Sequence, residues 1–295
     1  MGGERMEHTT RQWELALVDL DGTLYRGDEG IPGTAPFIAR LRARGIQPVF
    51  FTNNSTRTPE EVCEKLKGFG IFAESSEVCT SAQSAAEAVA RETGVGGSVA
   101  YIGADAVKIA LNDAGFEAVR IERANSSDAL GGHALPQVKA AVLGLDPKID
   151  YEGLTRFCSM VTDLGRYFLT NGDVRLPHGK SFMPGNGALA SFVTTATGIA
   201  PRLTGKPEPE FVEYALRRYG ARSEKTLLIG DNLRTDVAAG VRAGIYTIQV
   251  NSGVQYARSD STHEDKALGG RVPVEKRALV PQEVHDSVAD LFPET

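Results

Sequence analysis

A short acidic segment constrains this chain more than any other feature: Asp19-Leu20-Asp21-Gly22-Thr23 directly follows the apolar run Leu15 to Val18. The apolar run predicts a buried strand, and Gly22 lets the backbone turn sharply away from it. Two carboxylates at the end of a buried strand are unfavourable unless a cation or a catalytic role requires them. An Asp-x-Asp pair alone is a weak signal, because such pairs also occur in ordinary loops. The rest of the chain must therefore supply the other parts of a site.

A second strand ends in the same way. The run from Gln47 to Thr52 is apolar in its interior and continues into Asn53-Asn54-Ser55. Thr58-Pro59-Glu60-Glu61 then combines a capping box with proline at the first helical position, which predicts a helix to about Phe69. Polar residues that follow successive parallel strands meet at the carboxyl edge of an open α/β sheet. The first part of the chain therefore predicts a doubly wound parallel sheet with a site at that edge.

The middle of the chain forms an α/β unit of its own. The patterns predict three strands and four helices. In chain order they are an Ala-rich helix capped by Thr80-Ser81-Ala82-Gln83, a strand over 98–102, a helix over 104–114, a strand over 140–143, a helix over 151–160, a strand over 167–170 and a helix over 188–197. The polar segment Glu122 to Pro136 is predicted to be a loop. The core pattern then resumes with the apolar strand Thr226 to Ile229. We therefore predict a Rossmann-like core, residues 1–80 and 201–295, interrupted by an inserted α/β cap domain, residues 81–200.

Composition and charge limit the partners and the cellular compartment that we expect for this protein. The 295 residues carry a net charge of −6 with scattered Lys and Arg, which argues against a nucleic-acid partner. The segment through Trp13 is polar and no apolar run reaches membrane-spanning length, so we expect neither a signal peptide nor a membrane partner. The three cysteines are far apart in sequence and in no metal-binding spacing. We therefore expect reduced thiols in a cytoplasmic protein.

Four polar clusters follow strands or loops of the predicted core: Asp19/Asp21, Thr52, Lys206 and Asp231/Asp236. Each cluster taken alone has an ordinary explanation as a turn, a solvated loop or a helix cap. Their joint occurrence, in this order and after the appropriate strands, makes coincidence a poor explanation.

The set resembles the four motifs of the haloacid dehalogenase superfamily of phosphotransferases: Asp-x-Asp-Gly-Thr, a strand-end Ser or Thr, a Lys, and Gly-Asp-x-x-x-Thr/Ser-Asp. Four further segments are similar to the NagD-like, nitrophenylphosphatase branch, namely Thr52-Asn53-Asn54-Ser55, Gly205-Lys206-Pro207-Glu208-Pro209, Leu228-Ile229-Gly230-Asp231-Asn232 and Thr170-Asn171-Gly172-Asp173. In that branch a large α/β cap is inserted after the Thr motif, as predicted here. The branch usually has a smaller residue where this chain has Asn186 between two glycines.

The resemblance implies a Mg²⁺-dependent phosphatase that hydrolyses a small phosphate monoester through an aspartyl-phosphate intermediate. Asp19 would attack phosphorus, and Asp21 would protonate the leaving alcohol and then deprotonate water. Thr52 and Lys206 would bind the phosphoryl oxygens, assisted by backbone N–H groups that include that of Asn53.

The resemblance also implies a metal site and a source of specificity. Asp19, the backbone carbonyl of Asp21, and Asp231 would hold Mg²⁺, while Asp236 would orient metal-bound waters or Lys206. Substrate choice is expected to lie with the loop after Thr52 and with the cap, and the candidate contacts are Asn54, Arg57, Asn171 and His178. The expected partner is a small phosphorylated metabolite, and a cap of this type offers surface for a homodimer.

Two other functions are compatible with the same residues. A phosphomutase or phosphotransferase would use the same intermediate and pass the phosphoryl group to another hydroxyl. A phospho-accepting signalling domain would also combine a strand-end Asp, a Thr or Ser, a Lys and Mg²⁺. Such domains lack a general acid two residues after the nucleophile and carry no large inserted cap, so Asp21 and the middle block argue against that alternative.

Overall fold

Two parallel sheets, each with helices on both faces, carry the fold. The computed structural model describes residues 12–121, 137–178, 181–253 and 279–293, without the side chains of residues 177 and 178. The strands within these ranges are β1 (Leu15–Val18), β2 (Tyr25–Arg26), β3 (Glu29–Gly30), β4 (Gln47–Thr52), β5 (Val78–Thr80), β6 (Ser98–Ile102), β7 (Glu117–Arg120), β8 (Ala140–Leu143), β9 (Phe168–Leu169), β10 (Arg175–His178), β11 (Ser181–Pro184), β12 (Arg202–Leu203), β13 (Thr226–Gly230), β14 (Tyr246–Val250) and β15 (Glu283–His285).

The helices follow the strands in alternation. Within the described ranges they are α1 (Thr34–Ala43), α2 (Pro59–Gly68), α3 (Ser81–Thr93), α4 (Asp105–Asp113), α5 (Tyr151–Leu164), α6 (Asn186–Thr197), α7 (Pro209–Tyr219) and α8 (Ala238–Ala243). A single π-helical turn, Leu233–Val237, leads into α8. No helix in this part of the chain combines the length and the apolar character needed to cross a membrane.

The first sheet has β1 in its interior. Its strand order in the described chain is β15-β14-β13-β1-β4-β5, and every pair is parallel. Alternate residues of β1 point to opposite faces of the sheet. Ala16 and Val18 pack with α1 and α2, whereas Leu15 and Leu17 pack with α7 and α8. Both faces of this sheet are covered by helices, and the interior strand β1 is accordingly apolar along its whole length, as is typical of parallel sheets.

The second sheet has the order β12-β9-β8-β6-β7 in the described residues, again with parallel pairs. Helices α3 and α4 pack on one face, and α5 and α6 on the other. Strand β12 belongs to this sheet and continues directly into the segment that carries Lys206, so the carboxyl edge of the second sheet lies next to the candidate site. The domain boundaries at residues 80 and 200 stay a prediction.

The predicted fold class, a doubly wound parallel α/β core with a further α/β unit, is confirmed. Strands β1, β4, β6 and β8 have the predicted bounds. Helix α5 is longer than the predicted 151–160, because Val161 continues its buried face and Gly165, at φ 69°, ends it in the left-handed conformation. The sequence pattern did not indicate β7, a half-exposed edge strand with little apolar alternation. The predicted loop Glu122 to Pro136 lies outside the described residues.

Candidate active site

The acidic segment leaves β1 at the carboxyl edge of the first sheet. The Asp19 N–H donates to the Ile229 carbonyl at 2.9 Å, so the nucleophile candidate extends the pairing of β1 with β13 by one residue. Gly22 follows with φ 91°, and a Cβ at this position would collide with the Asp231 carboxylate. Glycine is therefore required twice, by its left-handed backbone and by the close approach of a carboxylate.

Lys206 connects two carboxylates beneath this edge. Its ammonium donates to Asp19 Oδ1 at 2.5 Å, to Asp236 Oδ1 at 2.7 Å and to the Phe51 carbonyl at 3.3 Å. These contacts use the three donors of the ammonium, and the long one to the Phe51 carbonyl is the contact that a phosphoryl oxygen can replace. Lys206 is only 2% exposed, and Asp19 and Asp236 are also buried. The proximity of two anions raises the pKa of Lys206 although burial lowers it, so the side chain is charged.

The carboxylates outnumber the cations at this site. Oxygens of Asp19, Asp231 and Asp236 lie within 4.8 Å of one another. Burial and repulsion from neighbouring carboxylates raise the pKa of Asp19 to about 7 and that of Asp231 to about 8, although Lys206 opposes both shifts. Three acids and one lysine leave an excess of negative charge, which a divalent cation with oxygen ligands would neutralise.

The same geometry separates the roles of the three acids. Asp236 Oδ1 accepts from Lys206, and its Oδ2 accepts the Asn232 N–H at 3.1 Å, so both oxygens have protein partners. Asp231 is only partly buried and fits closely against Gly22 and Gly253, because a methyl group added at either glycine would collide with its carboxylate. The donor set therefore fits a hard cation held by Asp19 and Asp231, with Asp236 holding Lys206 from behind.

We expect Asp231→Asn to stabilise the metal-free protein at pH 8. Carboxyls with raised pKa values retain protons in the folded state that the unfolded chain has lost, so their contribution to folding stability falls as pH rises from about 4 to about 8. Asparagine at position 231 does not ionise, so the variant avoids most of this loss of folding stability. The expected result is a melting temperature a few degrees above that of the parent at pH 8 in chelator, and a much smaller difference at pH 5.

The matched measurement adds Mg²⁺ to both proteins. The parent should gain thermal stability with Mg²⁺ at pH 8, because a ligand that binds only the folded state stabilises it, whereas Asp231→Asn should gain little. A variant that melts below the parent in chelator at pH 8 would contradict the electrostatic account of this cluster.

Asp21 occupies a more open position than Asp19. Its backbone bridges to Tyr25, at the start of the β2–β3 hairpin, and its side chain keeps an exposed face. Partial burial raises the pKa of the Asp21 carboxyl, because it disfavours the charged form. A hydrogen bond from the Gly27 N–H and the charge of Lys65 oppose this shift. A carboxyl with a raised pKa and access to solvent can hold a proton for a leaving group.

The Thr52 loop provides hydrogen-bond donors. Thr52 Oγ1 accepts the Asn54 N–H at 3.1 Å and has no acceptor for its own proton in the described part of the chain, so it can donate to a phosphoryl oxygen. The Asn53 side chain is engaged elsewhere: Oδ1 accepts the Lys206 N–H at 2.8 Å, and Nδ2 donates to the Lys206 carbonyl at 3.0 Å. This reciprocal pair fixes the backbone that carries the lysine.

The loop after β9 is hydrogen-bonded to the loop that follows Thr52. Asn171 Nδ2 donates to the Asn53 carbonyl at 3.1 Å, and Thr170 Oγ1 donates to Ser55 Oγ at 3.0 Å. Asn186, at the N-terminus of α6, donates through Nδ2 to Thr170 Oγ1 at 3.1 Å. All of these groups except Asn53 are buried. A buried polar network therefore connects the second sheet to the loop that holds Lys206.

The remaining candidates for substrate contact are dispersed. Asn54 Oδ1 accepts from the N–H and the hydroxyl of Thr56, at 2.8 and 2.7 Å, and so closes its own turn. Arg57 is exposed and lines a shallow groove beside α2. Asn171 belongs to the network just described. The side chain of His178 lies outside the described part of the structure.

Three features of the site were not predicted from the sequence. The role of the Asn53 amide was missed, because a turn asparagine and a brace for Lys206 have the same local pattern. Gly205 was not singled out either, although a Cβ there would collide with the Thr170 carbonyl. Gly253 follows β14 in an ordinary Ser-Gly turn pattern, and nothing in the sequence places it against Asp231.

Known proteins match this sequence over most of its length. Two family models described as haloacid dehalogenase-like hydrolase match residues 16–117 and 104–244. The 5'-nucleotidase YutF of Bacillus subtilis (strain 168) is 37% identical over 238 residues, 81% of this chain and 87% of that protein. An acid sugar phosphatase of Staphylococcus epidermidis is 37% identical over 255 residues, 86% of this chain and 90% of that protein.

Solved structures of phosphatases superpose on this chain. A double mutant of the thermostable NPPase from Geobacillus stearothermophilus superposes with a TM-score of 0.77 and 32% identity, covering 95% of this chain and 98% of that one. The glycerol phosphate phosphatase Rv1692 of Mycobacterium tuberculosis in complex with magnesium superposes with a TM-score of 0.73 and 29% identity, covering 87% and 73%. The predicted superfamily and branch are confirmed.

Proposed function

Since the chain belongs to the haloacid dehalogenase-like hydrolases, we propose that it is a Mg²⁺-dependent phosphatase that hydrolyses small phosphate monoesters. The observation that carries this proposal is the buried contact of the Lys206 ammonium with Asp19 and Asp236, beside Asp231. A buried lysine, a nucleophilic carboxylate and an acidic pair suited to a hard cation are the parts that phosphoryl transfer needs.

In the first step, an Asp19 carboxylate oxygen attacks phosphorus and the bond to the ester oxygen breaks. Asp21 gives its proton to the departing oxygen, which leaves as an alcohol. Asp19 and Asp231 would hold Mg²⁺ with the Asp21 backbone carbonyl, and the bound cation would reduce repulsion between the nucleophile and the phosphate. Lys206 and the Thr52 hydroxyl bind phosphoryl oxygens as charge develops.

In the second step, water attacks the phosphorus of the aspartyl-phosphate. Asp21, now ionised, accepts a proton from that water, and the bond from phosphorus to the Asp19 oxygen breaks. Inorganic phosphate leaves and both carboxyls return to their starting states, so the sum is one ester and one water converted to an alcohol and phosphate. Asn53 keeps Lys206 in place through its paired backbone hydrogen bonds.

The test is a panel of phosphate monoesters assayed with and without Mg²⁺. The names of the relatives suggest nucleoside monophosphates, sugar phosphates, glycerol phosphate and nitrophenyl phosphate as members. We expect phosphate release from at least one of these esters with Mg²⁺, and its loss in excess chelator. Undiminished hydrolysis in chelator would contradict the metal requirement, and transfer of the phosphoryl group to an added alcohol in preference to water would favour a phosphotransferase.

A further inference from the structure

Ser252 and Gly253, which follow β14, contact two of the loops that carry the candidate metal ligands. Ser252 is 5% exposed, and its hydroxyl donates to the Gly22 carbonyl at 2.8 Å. Gly253 fits against the Asp231 carboxylate, where a Cβ would collide with Oδ2. Two adjacent residues therefore touch both the turn that carries the Asp21 carbonyl and the carboxylate of Asp231.

The turn at Gly22 fixes the direction of the Asp21 carbonyl. The Gly22 N–H donates to the Tyr25 carbonyl at 2.7 Å. That N–H and the Asp21 carbonyl belong to one planar trans peptide unit and point in opposite directions, so the hydrogen bond also orients the carbonyl. Ser252 holds the next peptide unit through the Gly22 carbonyl. Both peptide units that flank Gly22 are thus held, which restrains a residue that has no Cβ and a φ of 91°.

The backbone around Ser252 is itself held from two sides. The Ser252 carbonyl accepts from Arg26 Nε, on β2, at 2.6 Å. On the other side, the Asn251 N–H donates to the His285 carbonyl, at the end of β15, at 2.9 Å. The Ser252 hydroxyl is therefore presented to Gly22 from a fixed position.

The Asp231 carboxylate fits between two glycines. A Cβ on Gly22 or on Gly253 would collide with its Oδ2. The missing side chains leave room for the carboxylate, and the same close fit limits its rotation. The spacing between the Asp231 oxygens and the Asp21 carbonyl is therefore set by protein contacts.

We propose that Ser252 and Gly253 are positioning residues that set the spacing of the metal ligands and thereby favour Mg²⁺ over Ca²⁺. This inference rests on the proposed function, in which the Asp21 carbonyl and the carboxylates of Asp19 and Asp231 hold the metal. Mg²⁺ demands near-ideal octahedral geometry with ligands at about 2.0–2.1 Å, whereas Ca²⁺ accepts a flexible arrangement at about 2.3–2.6 Å. Ligands held at one spacing can select the smaller ion, and ligands that adapt bind both.

The test measures metal binding without substrate. The melting temperature of the metal-free protein is titrated with MgCl₂ and, separately, with CaCl₂ at pH 8 and constant ionic strength, which gives a Kd for each ion. Ser252→Ala leaves the Gly22 carbonyl without its donor. This variant should bind Mg²⁺ about 10-fold more weakly, as is typical when a residue that orients a metal ligand is lost. Ca²⁺ binding should weaken less, so the ratio of the two Kd values should shift toward Ca²⁺.

Ser84→Ala is the matched control. Ser84 is also a buried serine, 3% exposed, and its hydroxyl donates to the Thr204 carbonyl at 2.7 Å. Its removal should lower the melting temperature in chelator about as much as Ser252→Ala does, because each leaves one buried carbonyl without a donor. The ratio of the Kd values should nevertheless stay at the parental value.

Gly253→Ala tests the same spacing from the other ligand. The atoms that the new methyl group would meet are the end of the Asp231 side chain, which can rotate away, so the variant should fold. The rotated carboxylate no longer lies at its original place. Mg²⁺ binding should therefore weaken by about 10-fold or more, with the same shift of the ratio toward Ca²⁺.

The outcomes separate this inference from the proposed function. A parent that gains no stability from Mg²⁺ would contradict the metal requirement, and the positioning role fails with it. If the parent binds Mg²⁺ but Ser252→Ala or Gly253→Ala keeps the parental ratio of Kd values, the inference is wrong while the phosphatase stands. An equal shift in Ser84→Ala would also overturn it, because the loss of any buried hydrogen bond would then suffice. If Ser252→Ala does not fold, the ratio measured for Gly253→Ala decides.

Discussion

Asp19→Asn is expected to abolish turnover, with a loss of about 10⁴-fold or more in kcat for any ester that the protein hydrolyses. The amide nitrogen cannot form the bond to phosphorus, and the remaining oxygen is a poor nucleophile without the negative charge. The loss should appear equally with activated and unactivated esters, because the missing group is needed before the leaving group departs. The measurement is kcat under saturating substrate and Mg²⁺.

The fold of this variant should be preserved. Asparagine has nearly the same shape as aspartate, and its oxygen can still accept from Lys206 or from Thr23, whose hydroxyl lies 3.3 Å from Asp19 Oδ2. Burial is the largest cause of the raised pKa of Asp231, and removal of the Asp19 charge relieves the repulsion that adds to it. The metal-free variant should therefore melt no lower than the parent at pH 8. Residual activity within about 100-fold of the parent would contradict the assignment of the nucleophile.

Lys206→Met should be the most damaging single substitution for the fold among the site residues. Methionine fills the space but leaves Asp19 and Asp236 buried next to each other without a cation. Breaking a buried ion pair on one side costs about 3–5 kcal/mol of unfolding free energy. Denaturant unfolding at pH 8 in chelator should show this loss, and activity should fall by about 10³-fold because phosphoryl oxygens lose a charged donor.

A surface lysine gives the matched control. Lys225 pairs with Glu14 at 2.5 Å but is 28% exposed, so Lys225→Met should cost no more than about 1 kcal/mol. A second variant tests the reason for the loss: in the Lys206→Met background, Asp236→Asn removes one uncompensated charge and should recover part of the stability without recovering activity. Equal unfolding free energies for Lys206→Met and Lys225→Met would show that the buried contact has no energetic importance.

The sequence was sufficient to predict the elements that carry the site, because its signals there are local. Apolar runs that end in polar residues fix β1, β4 and β13 with their carboxyl ends, and parallel pairing then brings Asp19, Thr52 and Asp231 to one edge. Val18 pairs with both Phe50 and Ile229, so the three strand ends are level. These strands could be predicted because a strand buried on both faces is a continuous apolar run in the sequence.

The contacts made by single side chains could not be predicted in this way. Asn53 and Asn54 are adjacent turn residues with the same chemistry, yet one braces the Lys206 backbone and the other closes its own turn with Thr56. The difference depends on the segment that follows β12, which is 153 residues away along the chain.

We infer that Asp19 carries the phosphoryl group and Asp21 moves the protons. The most direct measurement uses Asp21→Asn with nitrophenyl phosphate and Mg²⁺, because nitrophenolate can leave without a proton whereas the water of the second step still needs a base. We predict a burst of about one equivalent of nitrophenolate per protein, and mass spectrometry of the acid-quenched protein should place one phosphoryl group on the peptide that contains Asp19. Steady turnover with no phosphorylated protein, or a phosphoryl group on another residue, would contradict these roles of Asp19 and Asp21.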